Sequence, residues 1–375
     1  MMRFLAVAQP WDLVGEELDA VLDRLHGDVG VAGLSLWAAT PPVLALRVSP
    51  TQPRLVRSEG GLLFHADRTP YAATRCQPLE AAGSVAGDRI GRIIAACGQR
   101  DMPVRAVISA SRLGRLPKRH PEMCCKNVFG AESHTALCLG NPDVAAFLVG
   151  LVSEVSARWP LGAVVVRDFY IRWAEAFSAS LRTPPLGDLG RSLLSICFCE
   201  SCRQRAGEAN VDVESACRSV AARVLRGVEG SGESVEDAPS LAGFLRWRGE
   251  ELSRLLARLV DVCGCELLLD RGGIYHLHRS LDGPLLTAPA AVVTKIDGGD
   301  ALASAVAPTA HRNELRLPLT LTAGTDGPTL VSLCSRAVEL GFDAVEIDDF
   351  ASLPEQTMTP IKQAVRFARR AAGAR

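Results

Sequence analysis

Hydrophobic positions in this chain fall into short apolar runs that alternate with longer amphipathic runs. Seven short runs are predicted to be buried strands: 29–38, 104–111, 161–169, 265–270, 291–297, 314–322 and 343–350. An eighth run, at 61–67, fits either a strand or a hairpin within a long loop. Strands that are apolar on both faces and alternate with helices are typical of a parallel sheet covered by helices on both sides.

Apolar residues recur at helical spacing between these strands. The predicted helices span 87–101, 241–263, 329–340 and 361–372, and another begins at Asn141 and Pro142. Asn caps free N–H groups at a helix start, and Pro fits the first turn. About eight strands with helices between them favour an α/β fold, an irregular (β/α)8 TIM barrel with long βα loops and a Cys-rich insertion. No G-x-G-x-x-G motif follows a strand, which argues against a dinucleotide-binding sheet.

The domain prediction is a single barrel over residues 1–375. Residues 110–140 and 169–210 are predicted to be long βα loops that carry the clustered cysteines. Residues 227–239, "GVEGSGESVEDAP", are rich in Gly, Ser and acids and are predicted to form a flexible loop. They are not predicted to be a domain boundary, because the alternation of strands and helices resumes after them.

Charge and hydropathy narrow the class of partner. The 41 basic residues nearly balance the 42 acidic ones, which disfavours binding to nucleic acid or to an anionic membrane. The expected partner is a small carbohydrate or polar metabolite, and a homodimer is left open. No run approaches the ~20 apolar residues of a membrane span, and the opening stretch lacks the features of a signal peptide. A cytoplasmic location is therefore expected.

Three of the twelve cysteines stand within six residues, in the segment "ICFCESCR". Cys197, Cys199 and Cys202 form C-x-C-x-x-C, which brings three thiolates close enough to share a metal, and zinc favours sulfur-rich tetrahedral sites. Cys138 is the first candidate for the fourth ligand. Four cysteine ligands leave no open position, so the predicted zinc is structural.

Other interpretations of the cysteine cluster remain open at this point. Cys124, Cys125, His120 and His134 are alternative fourth ligands. An iron–sulfur centre or a redox disulfide is a further alternative, although the C-x-C step is unusual for both. Three unliganded thiols are also compatible with the sequence, because free cysteine often serves as a small buried hydrophobe.

A barrel gathers its chemistry at the carboxyl ends of its strands. Those ends carry Arg167 and Asp168, then Asp270 and Arg271, then Lys295 and Asp297, and finally Glu346, Asp348 and Asp349. Paired carboxylates serve as acid, base or nucleophile in glycoside hydrolysis, and aromatic rings stack on sugars. Alternation puts Glu346 and Asp348 on one face of their strand, which makes Asp349 the expected capping or structural residue.

The leading hypothesis is therefore a carbohydrate-active enzyme that acts on a glycosidic bond. Asp168 and Glu346 are the first catalytic candidates, with Asp348 and Asp270 as substitutes. The candidate substrate-binding residues are Arg167, Tyr170, Arg172, Trp173, Lys295 and Trp37. Among them Tyr170 and Trp173 would stack on the sugar, and the two arginines would bind an anionic substituent. Carboxylates ~5 Å apart would predict retention of configuration, and ~6.5–9.5 Å would predict inversion.

Two alternative functions compete with hydrolysis. A lyase, isomerase or aldolase on a small sugar or polar metabolite would use Lys295 as a Schiff-base residue, although such a lysine more often pairs with a carboxylate. Alternatively, a barrel that lost catalysis would only bind a sugar. Acidic residues at strand ends also commonly cap helices or pair with arginine, so no single one establishes catalysis.

Two segments together resemble a known family. "ALCLGNPDV" matches a segment of the type L-C-x-x-N-P-x-V, and "CFCESCR" matches C-F/Y-C-x-x-C-R. Over about residues 100–375 the chain resembles a bacterial family of hypothetical glycoside-hydrolase-like TIM-barrel proteins. The resemblance implies a (β/α)8 barrel and carbohydrate hydrolysis, and it implies that Cys138, Cys197, Cys199 and Cys202 match the family cysteines, while Asn141 and Pro142 match its helix start.

The chain departs from this family after the strand at 163–168. Relatives carry an acidic residue there, followed by a loop rich in glycine and histidine. This chain has Arg167 beside Asp168 and then "FYIRWAEAFSASLRTPP", which contains no histidine. The departure implies a changed substrate or a loss of hydrolysis at that strand.

Overall fold

The computed structural model describes residues 2–13, 18–47, 54–81, 88–169, 188–228, 238–270, 291–295, 313–317, 327–353 and 355–373. Its strands are β1 (Arg3–Ala8), β2 (Gly33–Thr40), β3 (Val43–Arg47), β4 (Arg54–Ser58), β5 (Gly61–Leu62), β6 (Val104–Ser109), β7 (Cys124–Lys126), β8 (Glu132–Leu137), β9 (Ala163–Arg167), β10 (Glu266–Asp270), β11 (Ala291–Lys295), β12 (Asn313–Leu317) and β13 (Ala344–Ile347). Its helices are α1 (Leu18–Asp23), α2 (Arg89–Gly98), α3 (Leu116–Arg119), α4 (Pro142–Arg158), α5 (Asp188–Leu194), α6 (Glu200–Glu208), α7 (Val213–Val228), α8 (Pro239–Val262), α9 (Gly327–Glu339) and α10 (Glu355–Gly373).

Eight parallel strands close into a ring. In ring order β1, β2, β6, β9, β10, β11, β12 and β13 each pair with the next, and β13 pairs back with β1. Among the described residues, helices follow β1, β2, β6, β9, β12 and β13. The predicted (β/α)8 barrel is therefore confirmed.

The ring contains all seven predicted strands, but its eighth member is β1. Five of the six residues in Arg3–Ala8 are buried. The sequence-based prediction contains no strand here, because the opening stretch is assessed only as a signal peptide, against which Pro10 and Trp11 argue. The ambiguous run at 61–67 supplies only Gly61–Leu62, which pairs antiparallel with the edge of β2.

The predicted helices are present with ends shifted by one to three residues, except that the last helix begins six residues earlier than predicted. At the start of α4 the side-chain oxygen of Asn141 accepts hydrogen bonds from the N–H groups of Asp143 and Val144, at 2.9 and 3.3 Å. Pro142 follows as the first helical residue, so this helix start forms as expected. Most of the predicted flexible loop at 227–239 lies outside the described residues. None of the described helices has the length and apolar character needed to cross a membrane.

The buried apolar residues form two separate clusters. The larger cluster lies between the barrel and its surrounding helices. The smaller one joins the β7–β8 hairpin to helices α5–α8, which lie between β9 and β10 in the chain. Helix α8 takes part in both, since Phe244 and Trp247 pack in the smaller cluster while Leu255 and Leu259 pack in the larger one. The Cys-rich insertion thus has its own core, anchored to the barrel through a 24-residue helix.

Candidate functional site

The interior of the barrel is filled by ion pairs around Arg167, the last residue of β9. Its Nη1 lies 3.0 Å from Asp348 Oδ1, its Nη2 lies 2.9 Å from Glu346 Oε2, and its Nε lies 3.3 Å from Asp270 Oδ2. The side chain is only 4% exposed. Its Cζ lies 5.2 Å from the centre of the Trp37 ring, within cation–π range. One guanidinium therefore links three barrel strands.

A second arginine extends the network towards the amino-terminal end of the barrel. Arg105 of β6 donates two hydrogen bonds to the Glu314 carboxylate, at 2.5 and 2.9 Å. Its Nη1 also lies 3.7 Å from Glu346 Oε1. The Ser35 hydroxyl donates to the same Glu346 oxygen at 2.6 Å. Glu346 is therefore held from two sides and is fully buried.

Arg316 of β12 extends the network towards the mouth, meaning the carboxyl ends of the strands. Its Nε lies 3.0 Å from Asp270 Oδ2, and its Nη1 lies 3.2 Å from Asp348 Oδ2. Arg316 is 14% exposed and Asp348 is 21% exposed, so the upper layer of the network reaches the surface. Three guanidinium groups thus face the four carboxylates of Asp270, Glu314, Glu346 and Asp348.

The network fixes the charge states of Asp348 and Arg167. Burial disfavours the ionised form of Asp348, but Arg167 and Arg316 outweigh burial and lower the pKa of its carboxyl group. Burial likewise disfavours the charged guanidinium of Arg167, and its three carboxylates raise its pKa above the ordinary value. Asp348 is consequently an anion and not a proton donor at neutral pH.

Asp168, the first residue after β9, differs from the other acidic residues at the mouth. Its φ of 55° lies in the left-handed region that L-residues rarely adopt. The Ser109 hydroxyl donates to Asp168 Oδ2 at 2.5 Å, and the Ser111 hydroxyl donates to its carbonyl oxygen at 2.7 Å. Asp168 is partly exposed, and among the described residues it forms no ion pair with an arginine or lysine. Strained backbone held by surrounding hydrogen bonds is typical of functional positions.

Two further acidic residues at the mouth retain protons more readily. Asp349 follows β13 with a φ of 47°, and burial together with neighbouring Asp348 raises the pKa of its carboxyl group. Its side chain makes no capping hydrogen bond, unlike the expectation from the sequence. Asp12, after β1, forms a buried ion pair with Arg47, yet burial raises its pKa to about 7. Asp12 is not among the predicted site residues, because β1 is not among the predicted strands.

Among the remaining predicted site residues, the structure describes the side chain of Trp37 but not those of the others. Trp37 lies on β2 beside a register shift in its pairing with β6, and it is 8% exposed. Tyr170, Arg172 and Trp173 lie outside the described residues. Lys295 ends β11, but its side chain is outside the described part of the chain.

The four predicted metal ligands come together in the smaller core. The Sγ atoms of Cys138, Cys197, Cys199 and Cys202 all lie within 4.8 Å of one another, and all four residues are buried. A tetrahedral Zn–S site with bonds of about 2.3 Å needs sulfur–sulfur distances of about 3.8 Å. Four buried thiols at this spacing could hold a metal ion. Cys138 follows β8, whereas the other three surround the start of α6, so this four-cysteine cluster links the hairpin to the helical insertion.

The surroundings of the four-cysteine cluster favour thiolates at Cys138 and Cys197, while hydrogen bonds to these two sulfurs raise the pKa values of the Cys199 and Cys202 thiols. Hydrogen bonds from Cys125 and from the other three thiols lower the pKa of Cys138 well below its ordinary value. The backbone N–H of Lys126 donates to Cys197 Sγ at 3.4 Å, and Arg248 Nη1 lies 3.4 Å from Cys202 Sγ. Among the alternative fourth ligands, Cys125 adjoins the cluster.

The two segments that carry the family resemblance pack against each other here. The Asn141 side-chain amide donates to Ser201 Oγ at 3.3 Å, and Arg205 donates to the carbonyl oxygen of Gly140 at 2.8 Å. A β-carbon on Gly140 would lie 3.2 Å from Cys202 Sγ, so this position next to the sulfurs favours glycine.

Comparison with known proteins supports the fold. No protein-family model matches the sequence, and no curated protein is significantly similar to it. Solved structures that resemble it include α-L-fucosidase isoenzyme 2 from Paenibacillus thiaminolyticus, with a TM-score of 0.58, 12% identity and coverage of 100% of this chain. The glycoside hydrolase domain of PgaB (BpsB) from Bordetella bronchiseptica matches with a TM-score of 0.58 and 12% identity, and 98% of each chain is covered.

A β-galactosidase from the psychrophilic Marinomonas ef1 gives a TM-score of 0.55 at 10% identity over 99% of this chain. The present chain spans 50% of the fucosidase and 60% of this β-galactosidase. At these identities the likeness shows a glycoside-hydrolase-like barrel fold, and the fold is all that it shows.

Proposed function

We propose that this chain is a carbohydrate-active enzyme that cleaves a glycosidic bond at the mouth of its barrel. The observation that carries the proposal is Asp168. Its carboxylate stands at the end of a barrel strand, partly exposed, on strained backbone, and its described partner is the Ser109 hydroxyl instead of an arginine. A carboxylate in this setting suits attack on an anomeric carbon or on a water molecule beside it.

The proposed proton donor is Asp349. Glycoside hydrolysis needs one carboxyl group that is protonated and one that is ionised. Burial and the charge of Asp348 raise the pKa of Asp349, which favours its protonated form. The pair thus combines Asp168, a first catalytic candidate from the sequence, with Asp349, for which the sequence predicts a capping or structural role.

The contacts of Glu346 and Asp270 favour a structural role over the catalytic roles predicted for them. Both side chains are at most 1% exposed and both face arginines. Each nitrogen of Arg167 already faces a carboxylate, which argues against its predicted use in binding a substrate anion. A neutral sugar fits this mouth better, with Tyr170 and Trp173 as the proposed stacking residues.

The test is hydrolysis of a panel of 4-nitrophenyl glycosides: α-L-fucoside, β-D-galactoside and N-acetyl-β-D-glucosaminide. The first two correspond to the named activities of structural neighbours, and β-N-acetylhexosaminidases are among the others. We expect release of nitrophenol from at least one glycoside. Asp168→Asn should lower kcat at least about 100-fold, because acid–base and nucleophilic roles contribute 10²–10⁴-fold.

Asp23→Asn is the matched control, since Asp23 is an exposed aspartate that pairs with Arg100 on the outer helices. It should leave kcat unchanged, and both variants should keep the parent melting temperature. Unchanged turnover in Asp168→Asn, or no turnover of any glycoside by the parent protein, would overturn the proposal.

A sugar-binding barrel without catalysis is the second candidate. The observation that favours it is that three of the four predicted catalytic carboxylates are paired with arginines. Calorimetric binding of a free sugar to a protein that hydrolyses none of the glycosides would support it. The aldolase-type alternative stays a prediction, and borohydride trapping of a substrate on Lys295 would test it.

We also propose that the four-cysteine cluster holds a structural zinc. Four buried cysteines with no open position are the donor set of closed zinc sites, and a bound zinc would fasten the β7–β8 hairpin to α6. Elemental analysis should find one zinc per chain, and Cys199→Ser should lose it. Such a site needs reduced thiols, which is compatible with the cytoplasmic location that we propose.

A further inference from the structure

Two cysteines outside the four-cysteine cluster lie close together at the end of the barrel opposite the mouth. Cys263 directly follows helix α8 and Cys265 immediately precedes β10, with Gly264 between them. Their Sγ atoms are 3.9 Å apart, and both residues are partly exposed. Neither residue belongs to the four-cysteine cluster or to the ion-pair network, and the other cysteines of the chain are buried.

The local structure favours a reactive thiolate at Cys263. The two Sγ atoms lie within hydrogen-bonding distance, and the Cys265 thiol donates to the Cys263 sulfur. Nearby, the Ser156 hydroxyl of helix α4 donates to the Ser153 carbonyl oxygen. The Ser156 oxygen also accepts a hydrogen bond from Gly264 N–H at 3.0 Å, which fixes the turn. The hydrogen bond from Cys265 is the largest of the effects that lower the pKa of Cys263, which falls to about 7. About half of these thiols are then ionised at pH 7, against a few per cent at an ordinary pKa of about 8.5.

We propose that Cys263 and Cys265 form a thiol–disulfide exchange site that takes a low-molecular-weight disulfide as its co-substrate. The Cys263 thiolate attacks one sulfur of the disulfide, the sulfur–sulfur bond breaks, and the released thiolate takes up a proton. Cys265 then loses its proton and attacks the Cys263 sulfur of the mixed disulfide, which expels the second thiol. The protein loses two electrons as the new bond forms, and the small disulfide becomes two thiols.

The geometry allows Cys265 to form the disulfide with Cys263 in the second step. The two sulfurs must approach from 3.9 Å to the ~2.05 Å of a disulfide bond. Gly264 permits backbone rotations that other residues resist, and a β-carbon there would meet nothing closer than 3.6 Å. The turn is therefore uncrowded and leaves room for the two sulfurs to approach each other.

Tryptic mapping isolates the pair, because cleavage after Arg258 and Arg271 gives a peptide that contains no other cysteine. The full-length protein is incubated with oxidised glutathione at pH 7, quenched with excess N-ethylmaleimide to block the remaining thiols, and digested. The parent protein should yield the peptide with an internal disulfide. Cys265→Ser should stop at one glutathione on Cys263, since the second step has no attacking thiol.

Cys263→Ser should react at least about tenfold more slowly than Cys265→Ser, because burial raises the pKa of the remaining Cys265 thiol. Circular dichroism of both variants should match the parent. A peptide that stays in the dithiol form, or that carries glutathione without closing in the parent protein, would overturn the proposal. Equal reaction rates of the two variants would do so too.

Discussion

Replacing Arg167 by methionine tests whether the interior ion pairs hold the barrel together. Methionine keeps the unbranched shape of the side chain but removes the charge that faces Asp270, Glu346 and Asp348. Arg316 would then be left to balance Asp270 and Asp348, and Glu346 would keep only Ser35 and the more distant Arg105.

The expected loss of unfolding free energy is about 3–5 kcal/mol at pH 7, the usual cost of leaving a buried charge without its partner. That is a third or more of the ~5–15 kcal/mol by which a folded protein is stable. The loss should shrink in acid. Asp348 has a folded pKa below its unfolded value, so its stabilising contribution is present at neutral pH and disappears as the pH falls through the folded pKa. The Arg167→Met variant lacks most of this contribution, so acid lowers its free energy of unfolding less than it lowers that of the parent.

Urea unfolding at pH 7 and at pH 3, which lies below the unfolded pKa of about 3.9, measures both effects. Arg316→Met is the matched control, because Arg316 faces Asp270 and Asp348 but is more exposed, and both carboxylates would keep Arg167. We expect the control to lose about 1–2 kcal/mol, between the values for surface and buried pairs. If Arg167→Met loses less than about 1 kcal/mol and the loss is the same at both pH values, the interior network does not stabilise the fold.

Two further variants test the four-cysteine cluster and the buried acid at the mouth. Gly140→Ala brings a methyl group to 3.2 Å from Cys202 Sγ, and it should weaken zinc retention about tenfold in competition with a chromogenic chelator. Equal retention would mean that the sulfurs can move aside freely. Asp12→Asn should gain about 3 kcal/mol relative to the parent between pH 5 and pH 8 in urea unfolding. Burial raises the pKa of Asp12 to about 7, so the parent loses stability through its ionisation as the pH rises and the amide does not. A stability difference that is independent of pH would contradict the buried-acid assignment.

The sequence predicted most of the barrel because strands buried on both faces are apolar throughout. The strand it missed, β1, is six residues long and ends just before Pro10. Its residues Phe4, Leu5, Ala6, Val7 and Ala8 have the composition of the other strands. What made it a strand is its pairing with β2 on one side and β13 on the other, and pairing across more than 300 residues leaves no local trace.

The dependence on pairing between distant strands also explains why the sequence did not predict which acidic residues at the mouth pair with arginines. The rule that strand ends carry chemistry found Asp168, Asp270, Glu346 and Asp348, but it could not say which of them an arginine would neutralise. Arg167 and Arg316 point into the barrel because of the positions that they occupy along β9 and β12. Which positions face inwards depends on the register between neighbouring strands, and closure of the ring sets that register. The metal ligands were easier, because three of the four lie within six residues and form a cluster by local geometry alone.

The ion pairs in this barrel connect its stability to the protonation of the acidic residues at its mouth. Glu314 lies deep in the barrel and Asp348 lies at the mouth, and a chain of charged contacts through Arg105, Glu346 and Arg167 joins them. Asp348 stays ionised because this chain supplies its countercharge, and its negative charge is what helps to keep a proton on the neighbouring Asp349. Removing a charge in the interior should therefore alter proton affinity at the mouth as well as stability. A barrel filled with leucine and valine would be stable without this coupling, so the charged interior makes physical sense as a way to set the protonation of the acids at the mouth.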